Sequence, residues 1–323
     1  MREDKGVTAA GALAITGQAP AAALPWRDAW RLQARNHPWM SGGLLVSVLG
    51  VVLMLASGIA EGLAGGAEPL RLAALGGLSG FVATALGAMT GIVIGKVSSR
   101  TEDCMLGFAA GMMLAASSFS LILPGLAAAR EMTGSGVLGA LTVVAGLALG
   151  VLLMLGLDRF TPHEHESSGP CGPGCERVSR VWLFVLAITL HNLPEGMAIG
   201  VSFAQGDLGV GLPLTSAIAI QDIPEGLAMV LALRAAGVAS LPAVLMAGAS
   251  GLMEPLGALF GVGIAGGLAM AYPVGLGLAA GAMIFVVSHE VIPETHRNGH
   301  QTVATLGLMV GFAVMMFLDT ALG

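Results

Sequence analysis

Two hexapeptides carry the groups able to do chemistry. Residues 191–196 read His-Asn-Leu-Pro-Glu-Gly, and residues 221–226 read Gln-Asp-Ile-Pro-Glu-Gly. Each places polar side chains at i, i+1 and i+4 around a proline: His191, Asn192 and Glu195 in the first, Gln221, Asp222 and Glu225 in the second. In an α-helix, at about 100° per residue, i and i+4 share a face and i+1 lies beside them. Each hexapeptide therefore presents one patch of three oxygen- or nitrogen-bearing groups. Pro194 and Pro224 have no N–H to offer the carbonyls of Leu190 and Ile220, so a kink is expected in each helix. A further acid, Glu254, precedes Pro255. Imidazole, carboxylate and amide oxygen together suit borderline dications such as Zn(II), Cd(II), Fe(II) or Mn(II).

Glu195, Asp222, Glu225 and Glu254 all fall in apolar runs, and no Lys or Arg lies at comparable depth. Acids without basic partners in low dielectric need a cation or a proton to neutralise them. A buried network that only fixes helix packing is the competing reading, and the lack of basic partners weighs against it. Met113 offers a soft thioether that would favour zinc or cadmium over magnesium; plain packing is its alternative role.

A second polar set, His289, Glu290, Glu294 and His296, lies near the end of a later run. It is not the H-E-x-x-H metalloprotease pattern, because position 293 is proline. It is expected to form an exit path for metal, with Asp158, His163 and His165 as further ligands. The polar connection 158–180 also holds Cys171 and Cys175, among Gly and Pro expected to prevent regular structure. Its His and Cys spacing matches no closed zinc site, and loose binding is the most it suggests. Asp103 is expected as a helix N-cap or first-turn acid.

These groups must be carried by membrane spans. Of 323 residues, 55% are hydrophobic and only 11% charged, against about 25% in ordinary soluble domains. The mean hydropathy is +0.84. Apolar runs long enough for about 30 Å of hydrocarbon are read at 42–62, 75–95, 103–127, 136–157, 181–204, 213–235, 241–264, 272–294 and 302–321. The fold class is thus an all-α, polytopic helical bundle of nine spans. With the N-terminus inside, 12 of the 14 basic residues fall on the cytoplasmic side, leaving only Arg71 and Arg130 outside. The C-terminus is then external. The 49 glycines suit close helix packing in lipid. Glu3, Asp4 and Pro20 argue against a cleaved signal, so residues 1–40 are expected as a flexible or amphipathic cytoplasmic tail. Three cysteines are too few for a disulfide framework. No basic patch suggests nucleic acid, and no P-loop suggests a nucleotide.

The paired hexapeptides resemble the signatures of the ZIP (Zrt-/Irt-like) metal transporters, and the bacterial GufA branch looks most similar. The resemblance covers roughly 70–323, leaving 41–64 as an additional N-terminal transmembrane helix. It implies an eight-helix core with an inverted repeat, a homodimer, and residence in a bacterial inner membrane. It implies zinc uptake into the cytoplasm, with cadmium as a surrogate, by an elevator-like movement of the motif helices. It also implies a binuclear site: Met113, His191, Glu195, Gln221 and Glu225 at the first position, Asn192, Asp222 and Glu254 at the second, with Glu195 and Glu225 bridging. Many members have His-Glu where this chain has Gln221-Asp222, a departure that makes the first position less selective for zinc.

A zinc-dependent intramembrane hydrolase is the alternative, using three such ligands and a bound water. His191→Ala is expected to weaken zinc uptake more than manganese uptake, because loss of imidazole costs the softer ion more. Competition uptake assays check this, and equal loss for both ions would remove His191 from the ligand set.

Overall fold

The computed structural model describes residues 26–62, 67–94, 97–161, 163–165, 169–171, 180–267 and 269–322. A short helix α1 (Trp26–Asn36) precedes the long α2 (Pro38–Gly62) and α3 (Ala67–Val93). α4 (Ser99–Ala116) passes through a π-helical segment, Ser117–Ile122, into α5 (Leu123–Thr133), and α6 (Gly136–Phe160) returns. After a small hairpin, β1 (His163–His165) and β2 (Gly169–Cys171), come α7 (Arg180–Ser202) and α8 (Leu208–Ala235). α9 (Ser240–Ser250) and α10 (Met253–Ala265) form one interrupted crossing. α11 (Ala271–Val286) runs through a second π segment, Val287–Val291, into α12 (Ile292–His296), and α13 (Gln301–Leu322) ends the chain's described part. Nine stretches among the described residues are long and apolar enough to cross a membrane, which agrees with the nine spans read from the sequence.

Three local features refine the expectations. Of the two readings of the N-terminal tail, the described part takes the amphipathic one: in helix α1, Trp30 meets Phe160 with ring centroids 6.1 Å apart, and Gln33 Nε2 donates to the Arg159 carbonyl at 3.1 Å. The residues before 26 lie outside the described ones. The connection after α6 is not wholly irregular, since β1 and β2 pair antiparallel with His163 opposite Cys171. Pro170 sits opposite Glu164 in the middle of that pairing, a position where no N–H need be donated. Finally, α7 and α8 stay helical across Pro194 and Pro224, and a break that was not expected separates α9 from α10.

Within the core, α4 packs on α13, α6 on α11, α7 on α10, and α3 on α8. Exchange the first three core crossings for the last three, in order, and α7 for α8. Each packing pair then maps onto another: α4–α13 onto α11–α6, and α7–α10 onto α8–α3. Odd crossings exchange with even ones, so the related units run in opposite directions, as an inverted repeat requires.

Lipid supplies no hydrophobic force between helices, so these pairs depend on close backbone approach. Glycines four residues apart provide it from both sides. On α4 and α13, a Cβ at Gly107, Gly111, Gly307 or Gly311 would fall 1.9–2.3 Å from a carbonyl oxygen of the facing helix. Gly146 and Gly150 meet Gly277 and Gly281 on α6 and α11 in the same manner, as do Gly196 and Gly200 with Gly257 and Gly261 on α7 and α10. At that range Cα–H groups contact facing carbonyls, a weak but repeated attraction. The additional α2 lies against α6 and α10, while Leu45, Leu49 and Leu53 on its other face stay exposed.

A side chain forced into one of these contacts must separate two backbones. Gly150→Leu, whose Cβ would lie 2.1 Å from the Leu278 oxygen, is expected to destabilise the fold by about 1–3 kcal/mol or more. Gly42→Leu, where nothing lies within 4 Å, is the control. Thermal unfolding in detergent checks the pair, and equal midpoints would refute the packing argument.

Candidate metal centre

Each helix delivers its polar patch through a local backbone reason. α7 and α8 bring Glu195, Gln221, Asp222 and Glu225 together, while Asn192 turns toward Ser250 on α9 and His191 toward Glu290. Glu254 arrives through the break. Pro255 cannot donate to Gly251 O, and the Glu254 N–H takes that oxygen at 3.1 Å in a tighter turn. The break sets Glu254 in the first turn of α10, where the helix dipole favours a negative side chain. The two π segments also end beside prolines. Leu123 N–H bonds Ser118 O just before Pro124, and Ile292 N–H bonds Val287 O just before Pro293. The second of these segments carries His289 and Glu290.

The patches converge. Glu195, Asp222 and Glu225 each offer an oxygen, and the three atoms lie within 4.8 Å of one another. Asn192, Glu195, Gln221, Asp222 and Glu254 are at most 2% exposed. Gln221 Nε2 donates to Glu195 Oε1 at 2.7 Å, Thr84 Oγ1 donates to Glu254 Oε1 at 2.6 Å, and Asn192 Nδ2 reaches Ser250 Oγ at 3.5 Å. Four oxygens in this cluster have no donor at all: Glu195 Oε2, Gln221 Oε1, Asp222 Oδ2 and Glu254 Oε2. Buried acceptors are nearly always satisfied in folded proteins. Four orphaned together, three of them on carboxylates, call for a species that accepts oxygen lone pairs, a cation or a proton, and the Asp222 and Glu254 carboxyls lie close enough to share one.

His191 occupies the edge of this cluster with both ring nitrogens engaged. Nδ1 lies 2.9 Å from Ala187 O, and Nε2 lies 3.0 Å from Glu290 Oε2. The sequence reading separated Glu290 from the main site; the π segment carries it back to His191. The remainder of the expected exit set divides. His289 Nε2 lies 3.9 Å from the buried Asp158 and its ring stacks on Phe285. Glu294 pairs with Arg297 at 2.9 Å, and His296 Nδ1 lies 2.8 Å from Ile292 O in its own helix, so these two are turned to local partners. His163 and His165 lie on β1 and Cys171 on β2, but their side chains, like all of Cys175, fall outside the described residues. Met113 is buried on α4 among Met112, Ile218 and Met283, in the main apolar cluster.

Asp103 does not cap α4. Ser98 does, accepting from Thr101 N at 3.2 Å. Asp103, one turn further in, is 1% exposed and ties the start of α4 to the connection before α13, accepting from Asn298 Nδ2 at 2.9 Å and pairing with His300 Nδ1 at 2.8 Å. Thr84, Ser250 and Gly80, which line the Glu254 side, were not readable as site residues. A lone Thr, Ser or Gly inside an apolar run carries no periodic signal, and only the break that swings Glu254 toward α3 gives them a role.

Known proteins align with this arrangement. Residues 160–319 match the family described as ZIP Zinc transporter. The zinc transporter ZIPB of Bordetella bronchiseptica is 66% identical over 298 residues, covering 92% of this chain and 96% of that protein. The zinc transporter GufA of Myxococcus xanthus is 43% identical over 242 residues, or 75% of this chain and 95% of its own. The zinc transporter ZupT of Shigella dysenteriae is 36% identical over 257 residues, 77% and 95% of the two. Both hexapeptides and Glu254 fall inside the matched segment, and with relatives aligned over nearly their whole lengths the chain belongs to the ZIP zinc transporter family.

Proposed function

We propose that this metal transporter carries Zn(II), and related dications for which Cd(II) is a stand-in, through a two-ion site between α7, α8 and α10. The observation that carries this reading is the set of four donorless oxygens on Glu195, Gln221, Asp222 and Glu254. Glu195, Asp222, Glu225 and Glu254 bring four negative charges into the bundle, and two divalent ions cancel them. The first ion takes His191, Glu195, Gln221 and Glu225, with Met113 as the thioether. The second takes Asn192, Asp222 and Glu254, and Glu195 and Glu225 bridge the two.

Carboxylate, amide and imidazole groups held in place replace the hydration shell an ion sheds on entering. His191 connects this site to the next. An ion arriving at Nε2 displaces Glu290 Oε2, which is then free to take the ion in turn. His289 with Asp158, and the loop carrying His163 and His165, continue that path. The direction proposed is inward, with the N-terminus and the 158–180 connection cytoplasmic and the C-terminus external, in a bacterial inner membrane. The 12-to-2 division of basic residues supports that orientation. The packing pairs α7–α10 and α3–α8 form one group and α4–α13 and α6–α11 another, which suits an elevator-like displacement of the motif-bearing group. A homodimer is proposed as the working form.

The relatives are transporters, which sets the intramembrane hydrolase aside. Glu195→Ala and Glu225→Ala are expected to reduce zinc flux in proteoliposomes to that of protein-free vesicles while leaving the detergent-purified protein monodisperse. Normal flux in both variants would overturn the site.

A further inference from the structure

Thr84 lies on α3, outside both hexapeptides, and behaves unlike most hydroxyls in the bundle. A Ser or Thr within a helix ordinarily bonds back to a carbonyl of its own helix. Ser47, Ser117, Thr142, Thr189 and Thr320 all do so, at 2.7–3.0 Å. Thr84 instead reaches across to Glu254, donating to its Oε1 at 2.6 Å, while Ser79 and Thr90 on the same helix bond back to their own carbonyls. Both residues are buried, Thr84 at 2% and Glu254 at 0% exposed.

That bond engages Oε1 and leaves Oε2 without a donor. The free oxygen points at Gly80, one turn before Thr84 on the same helix. A Cβ at Gly80 would fall 1.6 Å from Glu254 Oε2 and 3.3 Å from Asp222 Oδ2, the other donorless carboxylate oxygen on this side. Both acids thus converge on a point kept open only because residue 80 has no side chain. Gly251, whose Cβ would lie 3.0 Å from Thr84 and 3.4 Å from Glu254 Oε1, closes the other flank.

We propose that Thr84 is a positioning residue for the second ion: its hydroxyl fixes Glu254 by Oε1 so that Oε2 joins Asp222 Oδ2 at a cation position beside Gly80. The inference rests on the two-ion reading above. Without the hydroxyl the carboxylate turns freely about its last bond, and the oxygen-only position loses its shape. The first position, with His191, keeps its own ligands.

Equilibrium binding of cadmium-109 to the purified full-length chain tests this. Wild type is expected to bind two ions. Thr84→Val, nearly the same shape without the donor, is expected to hold the first ion normally and the second roughly 10- to 100-fold more weakly, as loss of a ligand-orienting group does. Thr84→Ser, which restores the hydroxyl without the methyl, is expected to restore the second ion. Two ions at wild-type affinity in Thr84→Val would overturn the proposal. So would equal loss in Thr84→Val and Thr84→Ser, because packing of the methyl would then be responsible. Glu254→Gln separates the two levels. A wild type that binds one ion, or a Glu254→Gln variant that still binds two as tightly, overturns the two-ion reading itself, whatever Thr84 does.

Discussion

Mutual repulsion among buried carboxylates governs this molecule. Glu195, Asp222 and Glu225 bring oxygens within 4.8 Å of one another, and Glu254 closes on Asp222. At an effective dielectric constant of about 20, two unit charges at that separation repel by about 3–4 kcal/mol. Three or more such pairs together approach the entire net stability of a folded domain, about 5–15 kcal/mol. A bundle cannot hold these groups charged and alone. Arg234, at the far end of α8, is committed to the end of α3, donating to Gly91 O and Ile94 O. A proton or a cation has to neutralise the carboxylates, and in the proposed function the transported dication takes that part.

The glycine contacts follow from the same requirement. A polar cluster in the middle of a bundle must be sealed from lipid, and the seal has to be made by helices whose interiors carry almost no directional force. Reciprocal glycines bring backbones close enough for Cα–H contacts and shape, not greasy side chains, to hold the pairs together. Gly196 shows how directly packing and site are linked. It follows Glu195 on α7, and its Cβ would fall 2.2 Å from Glu254 O. The glycine that lets α7 touch α10 is also what allows Glu254 to stand near Glu195. The prolines do comparable work through the carbonyls they leave unbonded, at the break before Glu254 and at the two π segments.

Periodicity and composition made the nine crossings legible, because twenty apolar residues in a row have few other uses. The ligand patches were legible too, since i, i+1 and i+4 spacing survives any small change in helix geometry. The sequence does not show where a span is interrupted. Pro255 looked no different from Pro194 and Pro224, yet only beside Gly251 does the helix give way. The link between Glu290 and His191 was hidden for a related reason: Glu290 sits near the end of a later run, and nothing in the sequence marks the π segment Val287–Val291 that holds it. Asp103 was misjudged because acid near a helix start suggests a cap, whereas a serine five residues earlier already supplies one and the carboxylate turns inward to Asn298 and His300.

Gln221 brings these strands together. Many family members carry histidine there, and a neutral amide looks like a weaker ligand. In the structure the amide does two things at once. Its Nε2 donates to Glu195 Oε1, and its Oε1 is left without a donor. With Glu195 ionised this orientation is the favourable one, because turning the amide over would set its oxygen against a carboxylate. A neutral imidazole with its N–H on Glu195 would offer nitrogen at the position where glutamine offers oxygen. In the proposed site the substitution would leave the number of ligands unchanged and make the first ion's surroundings harder. In the proposed two-ion site His191 and Met113 would then be the soft ligands, and discrimination between zinc and harder dications would fall largely on an imidazole whose Nε2 already contacts Glu290. On that proposal, selectivity and release would meet at a single atom, Nε2 of His191, the one that touches Glu290.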